Sequence, residues 1–323
     1  MTLIVAVATG NFAVHASDRY VSVQKTPRNP SGDWDVNANK TVVVIGSDCW
    51  VVLGYTGLAY LDGKPTDQVI AEAISGYDDL SGGAAFMPWF EERYPHYREI
   101  RDRVERRIAD AYTRLPTGVA MKYATRVLAS GVQRKDGMSR GVMFRITVQG
   151  SGSKAEELAS SLLHNQFHID AVGMVNQQVI DRAKHRIETK QAVTAEDIRD
   201  IAMDAVIETS GMTDYVGDDA MGVILSNGEQ TVGTHFRRSN VQNQEELFRR
   251  MKEHEDTFMY SGVTVTPYVL THGMIYGPSA GTPGGWVSDS GLKFNFTGFD
   301  DPAKVEGKPV KILFAGQPRK PKP

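Results

Sequence analysis

The first sixty residues contain four short runs that are apolar at nearly every position: Leu3 to Ala8, Phe12 to Ala16, Thr41 to Ile45 and Cys49 to Leu53. A strand with one face in water alternates apolar and polar residues, so runs without alternation need cover on both faces. Thr9-Gly10-Asn11 and Gly46-Ser47-Asp48 are turn sequences between the runs. They predict two hairpins whose strands lie inside a layered structure. Residues 24 to 39, with Pro27, Pro30, Gly32 and three Asn, form a polar loop between the hairpins.

Cover for those strands is sought further along the chain. Pro65 to Ile74 places Val69, Ile70, Ala73 and Ile74 on one helical stripe. Residues 76 to 95 are rich in Gly and aromatics, and Tyr97 to Leu115 predicts a charge-laced helix that faces solvent or another subunit. Val142 to Val148 predicts a strand leading into Gly150-Ser151-Gly152. Ser153-Lys154-Ala155-Glu156 then has capping-box spacing before Leu158, Leu162 and Leu163, which predicts a helix. Two more helices are predicted over Gln177 to Ile187 and Ala195 to Glu208, the second capped by Thr194 with Asp197 three residues on. Ala220 to Ser226, Asn227-Gly228 and Gln230 to Phe236 predict a hairpin. Strands, helices, then strands give an α+β class with helices on a largely antiparallel sheet, not a βαβ alternation. Residues 1–236 form the expected main domain, with an insertion at about 76–140. Residues 237–323 read as a C-terminal extension: a charged helix to about Thr257, glycine-broken β-prone segments, and a disordered tail from Gly316 to Pro323.

Composition excludes several partners. Across 323 residues, 36 Lys plus Arg stand against 39 Asp plus Glu, with a pI near 6.3. No basic field for nucleic acid is present. No apolar run approaches the roughly 20 residues of a membrane span. The amino terminus lacks the positive region of a signal peptide, so a cytoplasmic protein is expected. The single cysteine, Cys49, excludes a disulfide framework and reads as a buried core thiol beside Trp50, Val51 and Val52. His164 and His168 share a helical spacing, but the Glu that a zinc protease needs beside the first is Asn165. The other histidines lack ligand spacing, and His15, in an apolar strand, reads as a core residue. Gly277, Gly281 and Gly284-Gly285 are not followed by the Lys-Ser or Lys-Thr of a phosphate loop and read as a turn-rich segment. Neither a metal nor a cofactor is expected.

One residue carries candidate chemistry. Thr2 follows Met1 and is small enough to allow the methionine to be removed. A terminal threonine combines a hydroxyl nucleophile with an α-amine that titrates at about 7.7–8.0 and can act as its base. Such a centre also needs a nearby cation and backbone donors for the oxyanion.

Thr2-Leu3-Ile4-Val5-Ala6-Val7, Ala16-Ser17-Asp18-Arg19, Lys40 and Gly54-Tyr55-Thr56-Gly57 together resemble the start of a proteasome β subunit, and are similar to the bacterial two-component threonine peptidase of that family. Thr2 to Asp18 and Lys40 to Gly54 match without gaps, while the loop between is longer by about six residues, where insertion is cheap. Gly150-Ser151-Gly152 is similar to the family's Gly-Ser-Gly turn. The resemblance covers residues 2 to 75 and 142 to 236, and departs at Tyr20, where the family usually has a basic or small residue. It implies the four-layer αββα sandwich of N-terminal nucleophile (Ntn) hydrolases, with an insertion and a C-terminal extension. It further implies that Thr2 is nucleophile and base, that Lys40 supplies the cation and Asp18 pairs with it. The Gly54 N–H would sit at the oxyanion hole, and Ser151 would bond the amine or its relay water. Tyr20 and Ser22 would line an extended substrate. Asp214 is the nearest match to the aspartate that supports Ser151, although the serine expected three residues later is absent; Gly217-Asp218 resembles the bacterial peptidase instead. The expected activity is cleavage of peptide or unfolded protein through an acyl-enzyme on Thr2, within a ring or other closed homo-oligomer. Two alternatives stand beside it: a catalytically silent structural subunit that retains Met1, and a hydrolase of small acyl-amides.

Overall fold

The structure, a computed structural model, describes residues 2–22, 33–35, 38–80, 87–190, 194–226, 231–237, 264–265, 267–276, 280–281, 286–289 and 292–297. The first half of the chain contains β1 (Leu3–Thr9), β2 (Phe12–Asp18), β3 (Val21–Ser22), β4 (Asp33–Asp35), β5 (Thr41–Ile45), β6 (Cys49–Thr56), β7 (Tyr60–Leu61), β8 (Lys64–Pro65), α1 (Thr66–Ser75), β9 (Met87–Trp89), α2 (Tyr97–Thr113) and α3 (Thr117–Lys122). There follow β10 (Thr125–Lys135), β11 (Met138–Gln149), β12 (Gly152–Leu162), β13 (Phe167–Gly173), α4 (Gln177–Thr189), α5 (Ala195–Ser210), β14 (Ala220–Ser226) and β15 (Thr231–Arg237). Short strands close the series: β16 (Thr264–Val265), β17 (Tyr268–Thr271), β18 (Gly273–Tyr276), β19 (Ala280–Gly281), β20 (Trp286–Asp289) and β21 (Leu292–Thr297). The class is α+β. Among the described residues no helix is long and apolar enough to cross a membrane.

Two large sheets organise the chain. One has seven strands in the order β13, β1, β2, β14, β15, β21, β20; the other has eight, β12, β11, β10, β6, β5, β17, β18, β9. The β15–β21 and β5–β17 pairs are parallel, so strands from the last sixty residues of the chain lengthen both sheets. The strand period of two explains why β1 has no polar face. Leu3, Val5 and Val7 pack with Val179 of α4 and Ile201 and Val206 of α5, while Ile4, Ala6 and Ala8 meet Leu128 of β10 and Met143 of β11 in the other sheet. Val42, Val44, Leu53 and Phe144 on the remaining face of the eight-stranded sheet pack against Ile70 and Ile74 of α1 and Ile100, Val104 and Ile108 of α2. The cover on both faces that the continuous apolar runs require is therefore supplied by helices outside and sheet against sheet inside.

Local signals mostly form as read. Thr9 Oγ1 donates to Phe12 O at 2.9 Å and accepts from Phe12 N at 3.1 Å, fixing the β1–β2 turn. Thr194 and Asp197 complete the reciprocal cap of α5. Gly76, at φ 74°, ends α1. Cys49 is buried in the core, and burial pushes its thiol well up.

Two expectations are corrected. Residues 152–162 form β12 and not a helix: β11 presents a long second edge, and pairing along it overrides the capping-box spacing at Ser153 and Glu156. Glu156 instead pairs with Arg145 on β11 at 3.0 Å. Helix α2 is charged on one side only; Tyr97, Ile100, Val104, Ile108, Ala111 and Tyr112 form a buried stripe at helical spacing, so it is a covering helix for the sheet. The turn at Asn227-Gly228, the charged segment from residue 238 to Thr257 and the tail from Gly316 lie outside the described residues.

His15, on β2, is fully buried between the sheets over Gly54 of β6, where a Cβ would lie 2.0 Å from His15 Cε1. Its Nε2 lies 3.3 Å from Leu128 O. We expect Gly54→Ala to destabilise by about 1–3 kcal/mol through overpacking against the ring, read from urea unfolding, and a smaller side chain at position 15 to restore part of the loss. Burial also lowers the His15 pKa from 6.5 to about 4. Between those values the unfolded chain binds a proton that the folded chain does not, so this stabilisation is whole above pH 6.5 and is lost as pH falls toward 4. The loss is about 3 kcal/mol in total. Unfolding at pH 7 and 4.5 measures it, and His15→Gln removes that share of the pH dependence.

Candidate active site

The residues around Thr2 are set by strand ends. β1 pairs with β13 on one side and β2 on the other, so Leu3 stands opposite Gly173 and Asp18 lies at the end of β2. Met174 N donates to Thr2 O at 2.9 Å. Gly173 has φ 104°, and a Cβ there would meet Thr2 O at 1.8 Å, so only glycine lets the chain leave β13 at this point. Lys40 precedes β5 in the facing sheet and crosses to Asp18.

That crossing is a buried ion pair: Lys40 Nζ to Asp18 Oδ2 is 3.0 Å, with side chains 1% and 0% exposed. Nζ also donates to Thr2 Oγ1 at 2.5 Å and to Tyr20 O at 2.5 Å. Asp18 Oδ1 accepts from Leu3 N at 3.0 Å, and Oδ2 from Tyr20 N and Gly217 N, each at 3.2 Å. Buried charges require this degree of pairing and hydrogen bonding. Chemically, a desolvated ammonium against a hydroxyl oxygen favours any state in which that oxygen carries negative charge.

The structure thus brings together Thr2, Asp18, Lys40 and the backbone of Tyr20. Ser22 is half-buried on β3, opposite Asp33 of β4. Gly54 lies inside the β6 ladder. It pairs with Thr41 and Leu128 within the ladder, and because Tyr55 N donates to Lys40 O toward β5, the Gly54 N–H points toward β10. Ser151 is exposed in the β11–β12 turn, next to Gly150, whose N–H donates to Ala120 O of α3. The turn follows from β12 being a strand, and no hydrogen bond joins Ser151 to Thr2 among the described residues. Asp214 and Asp218 are both exposed on the link between α5 and β14. His164 lies in the β12–β13 turn and His168 on β13, so they do not share a helical face. Among the described residues no group of three or more His, Cys, Asp and Glu is placed to hold a metal.

Two contributors escaped the sequence reading. Gly217 reaches the site by its N–H, and a Cβ there would lie 2.5 Å from Tyr20 Cβ. Its signal was the Gly217-Asp218 pair, in which the carboxylate drew attention and the glycine reaches the site. Thr56 Oγ1 lies 3.5 Å from Thr2 O. In Gly54-Tyr55-Thr56-Gly57 it is therefore the third residue, not the first, that reaches Thr2.

No protein-family model and no curated protein match the chain. Solved structures similar to it include an Anbu (Gly-1) mutant from Hyphomicrobium sp. strain MC1, with 15% identity and TM-score 0.49, covering 80% of this chain and 96% of that one. Anbu (ancestral beta-subunit) from Yersinia bercovieri has 13% identity and TM-score 0.44, covering 69% and 80%. The resemblance to proteasome β subunits and the bacterial threonine peptidase is corrected by these findings. The structural neighbours are Anbu proteins, and at this identity and TM-score the likeness assigns no family and carries nothing about the site.

Removing one partner of a buried pair strands the other charge. Asp18→Ala is expected to destabilise by about 3–5 kcal/mol, and adding Lys40→Met to recover a large part of it. Chemical unfolding of both single variants and the double variant checks the coupling.

Proposed function

We propose that the protein is a threonine-type N-terminal nucleophile hydrolase that cleaves amide bonds in peptides, with Thr2 exposed by removal of Met1 and carried in a four-layer αββα sandwich. The observation that most supports this reading is the 2.5 Å contact of buried Lys40 Nζ with Thr2 Oγ1. In the proposed reaction Thr2 Oγ attacks the scissile carbonyl carbon while its proton passes to the Thr2 α-amine. Lys40 stabilises charge on Oγ, and Asp18 holds Lys40 in place. Collapse of the tetrahedral intermediate breaks the C–N bond, and the α-ammonium returns its proton to the departing nitrogen. Water, deprotonated by the same amine, then hydrolyses the Thr2 ester and restores the hydroxyl. Gly57, exposed at φ 110° directly after Thr56, replaces Gly54 as the proposed oxyanion donor.

The test pairs intact mass with kinetics on protein bearing no amino-terminal tag. The expected mass lacks Met1, and Thr2→Ala lowers peptide turnover by roughly a thousandfold or more while Thr2→Ser retains activity. Retention of Met1 in active protein, or full activity in Lys40→Ala, overturns the mechanism.

A further inference from the structure

Besides Lys40, the eight-stranded sheet reaches Thr2 with a second side chain. Thr56 stands two residues after Gly54 on β6, so the strand period turns its side chain to the same inner face, toward the sheet that carries β1. Thr56 is buried, and its Oγ1 donates to Thr2 O at 3.5 Å. The same oxygen accepts from Met174 N at 2.9 Å, so both of its lone pairs are engaged. At the other end of that peptide group Leu3 N donates to Asp18 Oδ1 at 3.0 Å. The Thr2–Leu3 peptide plane is thereby held at its oxygen and at its nitrogen, while Lys40 Nζ holds Thr2 Oγ1 at 2.5 Å. With plane and hydroxyl both fixed, the chirality at Cα leaves the Thr2 nitrogen one place to lie.

The end of β6 is itself tightly placed. A Cβ on Gly57, the next residue, would lie 2.1 Å from Ala124 O, and Leu58 N donates to Thr125 Oγ1 at 3.4 Å. From the other sheet, a Cβ on Gly173 would lie 3.1 Å from Thr56 Oγ1. Valine has the shape of threonine without the donor, so packing at this position needs no hydroxyl and the hydrogen bond does. Resting on the hydrolase reading above, we infer that Thr56 is a positioning residue: its hydroxyl fixes the Thr2 carbonyl and so sets the nucleophile and its amine against the Gly57 N–H. Thr56 touches neither substrate nor reacting atoms in this role. Its loss therefore acts on the chemical step and leaves substrate binding in place.

Thr56→Val, which removes the donor, and Thr56→Ser, which keeps it, test this on an internally quenched peptide, with kcat expressed per folded molecule from near-UV circular dichroism. In Thr56→Val, kcat is expected to fall by about tenfold while KM stays within about twofold, and Thr56→Ser is expected to keep about half of the wild-type kcat or more. Where the valine variant does not fold, Thr56→Ala takes its place in the same comparison with serine. An unchanged kcat in Thr56→Val, an equal loss in the valine and serine variants, or a loss confined to KM overturns this inference and leaves the hydrolase reading standing. Absence of any turnover that Thr2→Ala abolishes overturns both.

Discussion

A lysine ammonium and an aspartate carboxylate withdrawn from water have only each other and the surrounding dipoles to replace their hydration. Lys40 enters from the start of β5 in one sheet and Asp18 from the end of β2 in the other, so their contact ties the two sheets together at one end. The backbone that satisfies the remaining lone pairs belongs to Leu3, Tyr20 and Gly217. Those donors fix the start of β1 and the links that frame Thr2. The pair is weak warrant for global stability, since two well-packed apolar residues hold sheets together as firmly. What it fixes is position: four separate stretches of chain must each place a donor or acceptor within hydrogen-bond reach of it.

Beneath this pair the sheet interface stays close-packed and largely apolar, with His15 and Ser130, whose Oγ donates to Val14 O at 3.4 Å, among its buried polar side chains. A ring that fits only because position 54 has no Cβ leaves little room to move, and burial holds it neutral at pH 7. Polar groups are thus concentrated at the Thr2 end of the interface while Ala13, Val43, Val52 and Val223 fill the space further along. A low-dielectric wall of this kind strengthens the field of Lys40 at Thr2 Oγ1, because less solvent is present to screen it.

Much of this was legible in residue order. Apolar runs without alternation implied cover on both faces, and the helices and the facing sheet supply it; Thr194 with Asp197 marked the start of a helix that forms. Thr2, Asp18 and Lys40 are expected together only through the resemblance, since no spacing or register joins them, and the structure places their side chains within hydrogen-bond reach of one another. Local pattern failed where the outcome depended on a partner distant in sequence. Residues 152–162 have helical chemistry, yet β11 offers an unpaired edge, and no reading of that segment alone contains β11. Gly54 likewise depends on a partner distant in sequence: a Cβ there would meet His15, thirty-nine residues away. The contributions of Gly217 and Met174 are made by backbone N–H groups, which every residue but proline possesses, so no side-chain pattern announces them.

The hydrogen-bond directions at Lys40 also bear on what it can do. An ammonium has three N–H groups and no lone pair. Here acceptors meet all three: Thr2 Oγ1, Asp18 Oδ2 and Tyr20 O. Loss of a proton would leave three acceptors facing two donors and a buried Asp18 carboxylate facing a neutral amine, which the surroundings oppose. So held, Lys40 is placed to donate to Thr2 Oγ and to support charge on it. On the proposed reading the Thr2 hydroxyl proton passes to a different group. In the proposed reaction that group is the Thr2 α-amine, which exists only once Met1 is gone. On the proposed reading the labour is divided: electrostatic support comes from Lys40, held by Asp18, whereas the base depends on removal of Met1.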